Sequence, residues 1–423
     1  LQIERSDGWL RVSYGELLAA AEAMARNWQA EGLASGARVL ICGDNSPEWV
    51  IAYMAASLLG LVVVPIDPQT REKDIWRLCE FVEARAFIVG AKRFSKLSPE
   101  GVVAHKELAF YDLDRAGMPF GDNGYAATLQ RDVNWLAPAI EPDDIASLIF
   151  TSVIEPRGVE LRHGNFVANL LALAEVQNLY EQDRVLSTLP LHHALEFTGG
   201  LLVPLLGGAT ITYLEALNSR EMLRTMRDTG TTVMLTVPRL LRVIADRIAR
   251  LSKSGEGDPS LARLRLVVSG GAALSEELRH VYERMGVGVY QGYGLSEAAP
   301  VVAVNAPGQC KAQSVGRVLP GQEVRVLHPD KRGIGEILLR GANVTRGYFA
   351  RPELSEKLLQ DGWLHTGDLG YVDREGYLFN DGRSKDLIVT GAGKNIYPQE
   401  VESFYADLPQ VAEIGVVGVY SER

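Results

Sequence analysis

The chain has 423 residues, of which 47% are hydrophobic and 8% aromatic, so it can bury a large core, and this length predicts more than one domain. Its 43 Lys and Arg against 53 Asp and Glu give a formal net charge of -10, which argues against nucleic acid or an anionic membrane surface as the main partner. The three cysteines are too few and too scattered for a disulfide framework or a zinc site, and they favour a reducing, cytoplasmic setting.

The first third of the chain alternates short apolar runs with helical patterns. ARVLICG, LVVVPI and RAFIVG are typical of buried strands, and WVIAYMAASLL and REKDIWRLCEFVEA are typical of the helices between them. The uncharged stretch from Trp49 to Ile66 is long enough to be weighed as a membrane span. We interpret it as a buried helix followed by a buried strand, because Gly60 separates a helical block from a β-branched run.

The same alternation resumes at DIASLIF and continues to GVGVYQGYG. RVLSTLP, ATITYL, TTVMLTV and LRLVVSGG are further predicted strands, and helical patterns separate most of them. Strands separated by helices predict parallel sheets that are covered on both faces. From about Gln322, glycine-punctuated runs such as GEILLRG and GYLFN instead predict a small antiparallel barrel or ribbon.

The predicted fold class is α/β, with a large N-terminal domain of doubly wound, mostly parallel sheets and a small β-barrel or ribbon. We expect this domain to span residues 1–382, with the β-rich subdomain at about 315–382. Residues 383–423 are expected to begin a small, mobile α+β C-terminal domain that is truncated here. One helix and two strands can hardly bury a core of their own.

Polar residues follow four predicted strands at their carboxyl ends, where open parallel sheets bind ligands. These residues are Thr151 and Ser152, His192 and His193, the SGG that starts at Ser269, and the YGLSE that starts at Tyr293. YGLSE combines an aromatic ring for adenine, a hydroxyl for phosphate and a carboxylate for Mg2+ within five residues. Taken alone, an exposed turn after a buried strand would explain this pentapeptide equally well.

Nine segments, in the same order, resemble the adenylate-forming superfamily of acyl-CoA synthetases, peptide-synthetase adenylation domains and firefly-type luciferases. They are YGELL, NSPEW, TSVIEPRGVELRHGN, LPLHHALEFTGG, SGGAALS, GYGLSE, GYF, WLHTGDLGYVDREGYL and GRSKDLIVTGAGKNIYPQEVE. The resemblance covers nearly the whole chain and is strongest to the fatty acyl-CoA synthetases, because EFTGG is similar to the long-chain members.

The resemblance implies an acid–thiol ligase that uses ATP and Mg2+. A carboxylic acid, by this resemblance a medium- or long-chain fatty acid, would become acyl-AMP with release of pyrophosphate, and the acyl group would pass to coenzyme A. Transfer to the phosphopantetheine of an acyl carrier protein, or a non-catalytic nucleotide- or acyl-binding relative, remain alternatives. A lipid substrate would allow peripheral membrane contact without a transmembrane span, and no P-loop motif is present.

The resemblance also implies roles for individual residues. Glu297 would bind Mg2+, Asp368 the ribose hydroxyls, and Lys385 would be the hinge of the small domain. His193 would lie near the acyl pocket, although a histidine satisfied at a strand end is the alternative. The implied catalytic residues are Thr151, Arg157, His193, Ser296, Glu297 and Lys385, and the implied nucleotide-binding residues are Ser152, Gly271, Ala272, Ala273, Gly292, Tyr293, Gly294, Asp368 and Arg383.

Two features depart from the family pattern. The triphosphate loop TSVIEPRG keeps Thr151, Ser152 and Arg157 but is about two residues short and lacks the glycines that let backbone N–H groups approach phosphate. The sequence leaves open whether the loop is altered in the protein or residues are missing from the string. The lysine that the family carries near its C-terminus lies beyond these residues.

Overall fold

The structure is a computed structural model that describes residues 1–6, 8–115, 118–119, 135–151, 156–177, 179–251 and 261–383, together with 388–389, 395–396, 402, 405, 411 and 414–417. In chain order, its strands are β1 (Gln2–Arg5), β2 (Gly8–Arg11), β3 (Arg38–Cys42), β4 (Val62–Ile66), β5 (Ala86–Val89), β6 (Ala109–Asp112), β7 (Met118–Pro119), β8 (Ile145–Phe150), β9 (Gly158–Arg162), β10 (Arg184–Ser187), β11 (Thr210–Tyr213), β12 (Val233–Thr236), β13 (Leu266–Ser269), β14 (Val289–Gly294), β15 (Val301–Val304), β16 (Gly316–Val318), β17 (Gln322–Leu327), β18 (Gly335–Gly341), β19 (Leu359–Gln360), β20 (Trp363–Val372), β21 (Tyr377–Arg383), β22 (Ile388–Val389) and β23 (Asn395–Ile396).

The helices begin where the sequence supplies caps. Side chains of Ser13, Ser46, Asn218 and Ser275 each accept from a backbone N–H of the first helical turn. The helices are α1 (Tyr14–Ala30), α2 (Pro47–Leu58), α3 (Glu72–Phe81), α4 (Ala91–Phe94), α5 (Pro99–Ala104), α6 (His163–Val176), α7 (Val203–Leu206), α8 (Ser219–Thr229), α9 (Pro238–Leu251), α10 (Glu276–Arg284) and α11 (Pro352–Leu358), and a π-helical segment covers Glu196–Leu202.

The smaller sheet has the order β7-β6-β5-β3-β4-β8-β9, in which β7 and β9 are antiparallel edge strands and the others are parallel. Its central strands are buried on both faces, as an apolar run such as ARVLICG predicts. The stretch from Trp49 to Ile66 forms most of α2 and then β4, which confirms a buried helix followed by a buried strand. Within the described residues, no helix is both long and apolar enough to cross a membrane.

The larger sheet is parallel in one half and antiparallel in the other. Strands β1, β11, β10, β12, β13 and β14 run parallel, and β15, β16, β21, β20, β18 and β17 continue the same sheet in antiparallel pairs. The change of direction occurs at β14. This arrangement confirms the α/β class, and of the two alternatives for the β-rich region the described strands form a ribbon.

The boundary between domains at residues 382 and 383 stays a prediction. Beyond Arg383 the structure describes only short pieces, among them the antiparallel pair β22 and β23. The helix expected in PQEVESFYADL and the hinge expected at Lys385 lie outside the described residues, apart from two helical positions at Glu402 and Tyr405.

Candidate active site

An apolar cavity of about 480 Å³ lies against one face of the parallel half of the larger sheet. Val233, Met234 and Leu235 of β12 and Val237 after it line the cavity, as do Leu266 and Val268 of β13 and Gly270 after it. Four residues of extended chain span about 13 Å, so the cavity follows these strands for roughly that distance. Further parts of the wall come from α6, from the segment that leads into the π-helix, and from β14 and β15.

A second space, the polar cleft, has a volume of about 490 Å³ and lies beyond the carboxyl ends of β13 and β14. Its lining includes Ala272 and Ala273, Gln291 from β14, and Asp368 and Gly382 from the ribbon. Four residues line both spaces, namely Gly271, Gly292, Tyr293 and Gly294. The cavity and the cleft are therefore neighbours across a wall built largely of glycine.

At two of these glycines a larger residue would be unfavourable. At Gly294 a side chain would clash, and at Gly271 the backbone conformation disfavours any residue with a Cβ. A Cβ on Gly294 would lie 2.2 Å from the carbonyl oxygen of Pro300, and Gly271 has a φ of +77°, a conformation that L-residues rarely adopt. Glycine at both positions keeps the wall thin.

Asp368 is held by the ring that separates the two spaces. The hydroxyl of Tyr293 donates to Oδ2 of Asp368 at 2.6 Å, and Asp368 is 4% exposed. A carboxylate has about four acceptor sites, so one carboxylate can accept from several donors at once. On the backbone, Asp368 of β20 pairs with Arg383 of β21, which places the two implied ribose residues side by side, although the Arg383 side chain lies outside the described part.

Glu297 lies on the short helical turn Ser296–Ala298 after β14. The hydroxyl of Tyr348 donates to its Oε1 at 2.7 Å, and its backbone carbonyl accepts from the N–H of Thr345 at 2.9 Å. The backbone of Tyr348 also bridges to Val159 in β9. Tyr348 therefore connects Glu297 to the β8–β9 hairpin, whose loop is the implied triphosphate loop.

Within the hairpin, the N–H of Thr151 donates to the carbonyl of Arg157 at 3.2 Å, so these two implied phosphate residues face each other across the loop base. Thr151 is exposed and Arg157 half-buried, and neither lines the cavity or the cleft. Ser152 and the missing glycines fall at 152–155, outside the described residues.

Glu297 is the residue that the resemblance implies for Mg2+. The described residues contain no group of three or more His, Cys, Asp or Glu side chains that could hold a metal ion. Mg2+ commonly binds through one or two carboxylates together with substrate phosphates and water, so a single oriented carboxylate such as Glu297 fits the ion when nucleotide is bound.

The two histidines of LPLHH lie against each other, with ring centroids 4.3 Å apart. Burial is the main cause that lowers the pKa of His192, to about 4, and the neighbouring His193 lowers it further against an opposing effect of Asp67. Burial likewise lowers the pKa of His193. Both imidazoles are therefore neutral at pH 7, and His193 lines the apolar cavity together with Ser296.

Asn45, from the NSPEW segment, holds the loop that carries these histidines. Its Nδ2 donates to the carbonyl of Leu189 at 2.7 Å, and its Oδ1 accepts from the N–H of Leu191 at 2.8 Å. Asn45 therefore fixes both sides of Pro190, three residues before His193.

Glu196, at the start of the π-helical segment, is fully buried behind the same loop. Its Oε1 accepts from the hydroxyl of Ser187 at 2.5 Å, and no described residue bonds to its Oε2. Burial raises the pKa of Glu196 to about 8, although the bonds from Ser187 and Leu189 oppose this. This carboxyl is therefore mostly protonated at pH 7.

The structure thus brings most of the implied site together. Ala272, Ala273 and Asp368 line the cleft, His193 and Ser296 line the cavity, and the four shared residues join the two. Lys385 lies outside the described residues. Tyr348 and Asn45 had no role predicted from the sequence, although they belong to the matching segments GYF and NSPEW.

Comparison with known proteins indicates the family to which the chain belongs. The family model for AMP-binding enzymes matches residues 2–349. The chain is 31% identical to an indoleacetate–CoA ligase of Aromatoleum aromaticum, covering 97% of this chain and 81% of that protein, and 30% identical to a feruloyl-CoA synthase of Amycolatopsis sp, covering 98% and 82%. The structure of O-succinylbenzoate coenzyme A synthetase from Bacillus subtilis in complex with AMP matches with a TM-score of 0.83 and 26% identity, over 99% of this chain and 83% of that one.

The chain therefore belongs to the AMP-binding enzyme family. Within that family it is an acid–thiol ligase, which confirms the class of reaction expected from the sequence.

Proposed function

We propose that this enzyme uses ATP to activate an apolar carboxylic acid as its acyl-adenylate and then transfers the acyl group to coenzyme A. One observation carries the proposal: an apolar cavity of about 480 Å³ shares a glycine wall with a polar cleft of about 490 Å³. An acyl group fits the first space by its chemistry and a nucleotide fits the second.

The size of the cavity bears on the acyl group. A zigzag of C–C bonds of about 1.5 Å advances roughly 1.3 Å per carbon, so a path of about 13 Å holds an extended chain of roughly ten carbons or a small ring system. The proposal is therefore a medium-length alkyl or an aryl acid. The relatives named above act on indoleacetate and on feruloyl groups.

In the first half-reaction, a carboxylate oxygen of the acid attacks the α-phosphorus of ATP, and pyrophosphate leaves. Asp368 would accept from the ribose hydroxyls, and Ser296 would donate to an α-phosphate oxygen at the end of the cavity. Mg2+ held by Glu297 would neutralise charge on the phosphates. Arg157 and Thr151 would bind the outer phosphates from the hairpin that Tyr348 links to Glu297.

In the second half-reaction, the thiolate sulfur attacks the acyl carbonyl, and AMP leaves. His193 lines the cavity. Its neutral imidazole can hydrogen-bond to the carboxyl group of the acid. Residues 1–382 and 383–423 are proposed as the large domain and the start of the small domain that exchanges between the two reactions, with Lys385 as the hinge.

The test is pyrophosphate exchange into ATP by the full-length protein across alkyl acids of four to sixteen carbons and a set of aryl acids, followed by thioester formation with coenzyme A. Exchange that is highest for apolar acids of medium length, with coenzyme A accepted directly, is the expected result. Thioester formed on a phosphopantetheinylated carrier protein but not on coenzyme A would replace the acceptor. Nucleotide binding without exchange for any acid would support the non-catalytic alternative.

A further inference from the structure

Asp368 lies in an irregular part of β20. Residues 366–368 of this strand face the single residue Ile337 of β18, so β20 bulges at this point. Gly367, in the middle of the bulge, has a φ of +69°, a conformation that glycine adopts readily. A bulge centred on glycine deforms easily unless neighbouring groups hold it. The position of the Asp368 carboxylate therefore depends on the contacts of the bulge.

Glu336, the residue of β18 just before Ile337, contacts the bulge at two points. Its Oε1 accepts from the N–H of Gly367 at 3.1 Å, and its Oε2 lies 3.2 Å from Nδ1 of His365. Both side chains are mostly shielded from water, with 26% of Glu336 and 20% of His365 exposed. One carboxylate thus ties the residue that precedes the bulge to the glycine at its centre.

The bulge is connected in turn to the Asp368 backbone. The hydroxyl of Thr366 donates to the carbonyl of Ile337 at 2.7 Å and accepts from the N–H of Asp368 at 3.0 Å. The Asp368 side chain is then oriented by its bond from Tyr293. Glu336 is not among the described residues that line the cleft, so any effect it has on a bound nucleotide must pass through the bulge.

We propose that Glu336 is a positioning residue for nucleotide binding: its carboxylate fixes the bulge of β20 so that the Asp368 carboxylate faces the ribose. The proposal rests on the proposed function, which assigns Asp368 to the ribose hydroxyls, and it adds a residue for which the sequence predicted no role. A group that is already in place binds its ligand more tightly, because no free energy of binding is offset by the cost of ordering it.

Glu336→Leu and Glu336→Gln in the full-length protein test the proposal. Leu removes both contacts, whereas Gln keeps an acceptor for the N–H of Gly367 and can donate to Nδ1 of His365. Glu336→Leu should raise the AMP dissociation constant and the KM for ATP by about tenfold, and Glu336→Gln by less than about twofold. The KM for the carboxylic acid should stay within about twofold in both. Equal weakening of nucleotide and acid, or equal losses in the two variants, would overturn the proposal.

A double-mutant cycle separates positioning from a general structural effect. In the Asp368→Asn background, Glu336→Leu should change the AMP dissociation constant by less than about twofold, because the residue through which Glu336 acts is already altered. Calorimetric titration with AMP measures all four proteins. Losses that multiply would show that Glu336 acts independently of Asp368 and would contradict the proposal.

Glu323→Leu is the matched control. Glu323 lies in the same ribbon on β17, accepts from Nε of Arg340 at 3.0 Å and is not among the described residues that line the cleft. Its loss should leave AMP binding and both KM values within about twofold of the wild type. A loss of AMP affinity equal to that of Glu336→Leu would mean that any missing carboxylate of the ribbon has this effect, and the proposal would fall.

Thr366→Val provides a second variant should Glu336→Leu fail to fold. It removes the hydroxyl that connects the bulge to the backbone of Asp368. It should give the same pattern, with weaker AMP binding, an unchanged KM for the acid and little further loss in the Asp368→Asn background. Wild-type AMP affinity in this variant would contradict the idea that the bulge positions the carboxylate.

The outcomes separate this inference from the proposed function. Weaker AMP binding in Asp368→Asn together with wild-type affinity in Glu336→Leu would leave the proposed function standing and remove only the role of Glu336. Wild-type AMP affinity in Asp368→Asn would remove the ribose role of Asp368 and this inference with it.

Discussion

The polar cleft and the apolar cavity share a wall but are built in different ways. The cleft consists of turns, glycines and a few oriented polar groups, such as Asp368 held by Tyr293. The cavity consists of ordinary aliphatic side chains that project from one face of parallel strands, and Leu and Val at those positions are also what any buried sheet contains. The chemistry of the first is therefore visible in short sequence motifs, whereas the shape of the second depends on how distant segments pack.

The largest effect on adenylation is expected at Glu297, a residue that one short sequence motif identifies. Glu297→Gln keeps the shape of the side chain and removes its charge, so adenylation should fall by roughly two orders of magnitude if this carboxylate binds the metal. Pyrophosphate exchange measures the loss, and a titration with Mg2+ should show a weaker apparent affinity.

Tyr348→Phe is the companion variant. It removes only the hydroxyl that donates to Glu297 at 2.7 Å, so a loss of roughly five- to tenfold is expected. Exchange that is unchanged in Glu297→Gln would contradict the metal role, and a larger loss in Tyr348→Phe than in Glu297→Gln would indicate that the tyrosine contacts substrate itself.

A smaller effect is expected at Asp368, an oriented carboxylate that lines the cleft. Asp368→Asn should weaken AMP binding by roughly tenfold to a hundredfold, because a charge-assisted hydrogen bond becomes a neutral one and the bond from Tyr293 is disturbed. Calorimetric titration with AMP measures this. Asp373→Asn is the control, since Asp373 pairs with Lys311 at 2.6 Å and does not line the cleft. Equal losses in the two variants would mean that the effect is structural.

The cavity should be alterable without the cleft. Val268→Phe adds a ring inside the cavity, so kcat/KM should fall by about tenfold for the longest accepted acids and change little for short ones. The AMP dissociation constant should stay within about twofold of the wild-type value. A uniform loss for all acids together with weaker AMP binding would show that the two spaces are not separable.

The smallest expected effect concerns stability behind the cavity wall. The folded-state pKa of Glu196 is raised to about 8 from an unfolded value of 4.5, so the native state binds the extra proton between these values. The contribution of Glu196 to the free energy of unfolding is then greatest at low pH. It is lost as pH rises through this window, by about 3 kcal/mol between pH 6 and pH 9 if burial dominates.

Glu196→Gln removes this titration. The Tm of the wild type should fall by roughly 3–5 °C more than that of the variant between pH 6 and pH 9, as thermal unfolding monitored by circular dichroism would show. Parallel pH dependence in the two proteins would mean that Glu196 is already charged in the folded state.

The alternating pattern of the sequence predicted most of the parallel strands, because each of these is a short apolar run, but it did not predict the parallel strands β1 and β6. The pattern did not predict β9 or β15. Both are antiparallel partners with short sequences, GVELR and VVAV, and no helical pattern separates them from the strands before them.

The site could be predicted only in part for a related reason. Tyr293, Ser296 and Glu297 are neighbours in sequence, so one motif names them. Asn45 contacts Leu189 and Leu191 only because the fold brings two distant segments together, and an asparagine just before a helix carries no sequence signal that separates this role from that of a helix cap. The segment predicted to be the triphosphate loop connects β8 and β9, and its interior at 152–155 lies outside the described residues.

The pairing of β1 with β11 has a consequence for the order of assembly. Gln2 donates from its side chain to Thr212 across 210 positions of sequence, whereas β14 and β15 meet through a short connection. During synthesis, β1 must wait for about 210 further residues before β11 exists, while the β14–β15 hairpin beside the active site can close as soon as it is made. The amino-terminal strand is thus expected to dock late, and a slow refolding step that is lost when β1 is deleted would report that event.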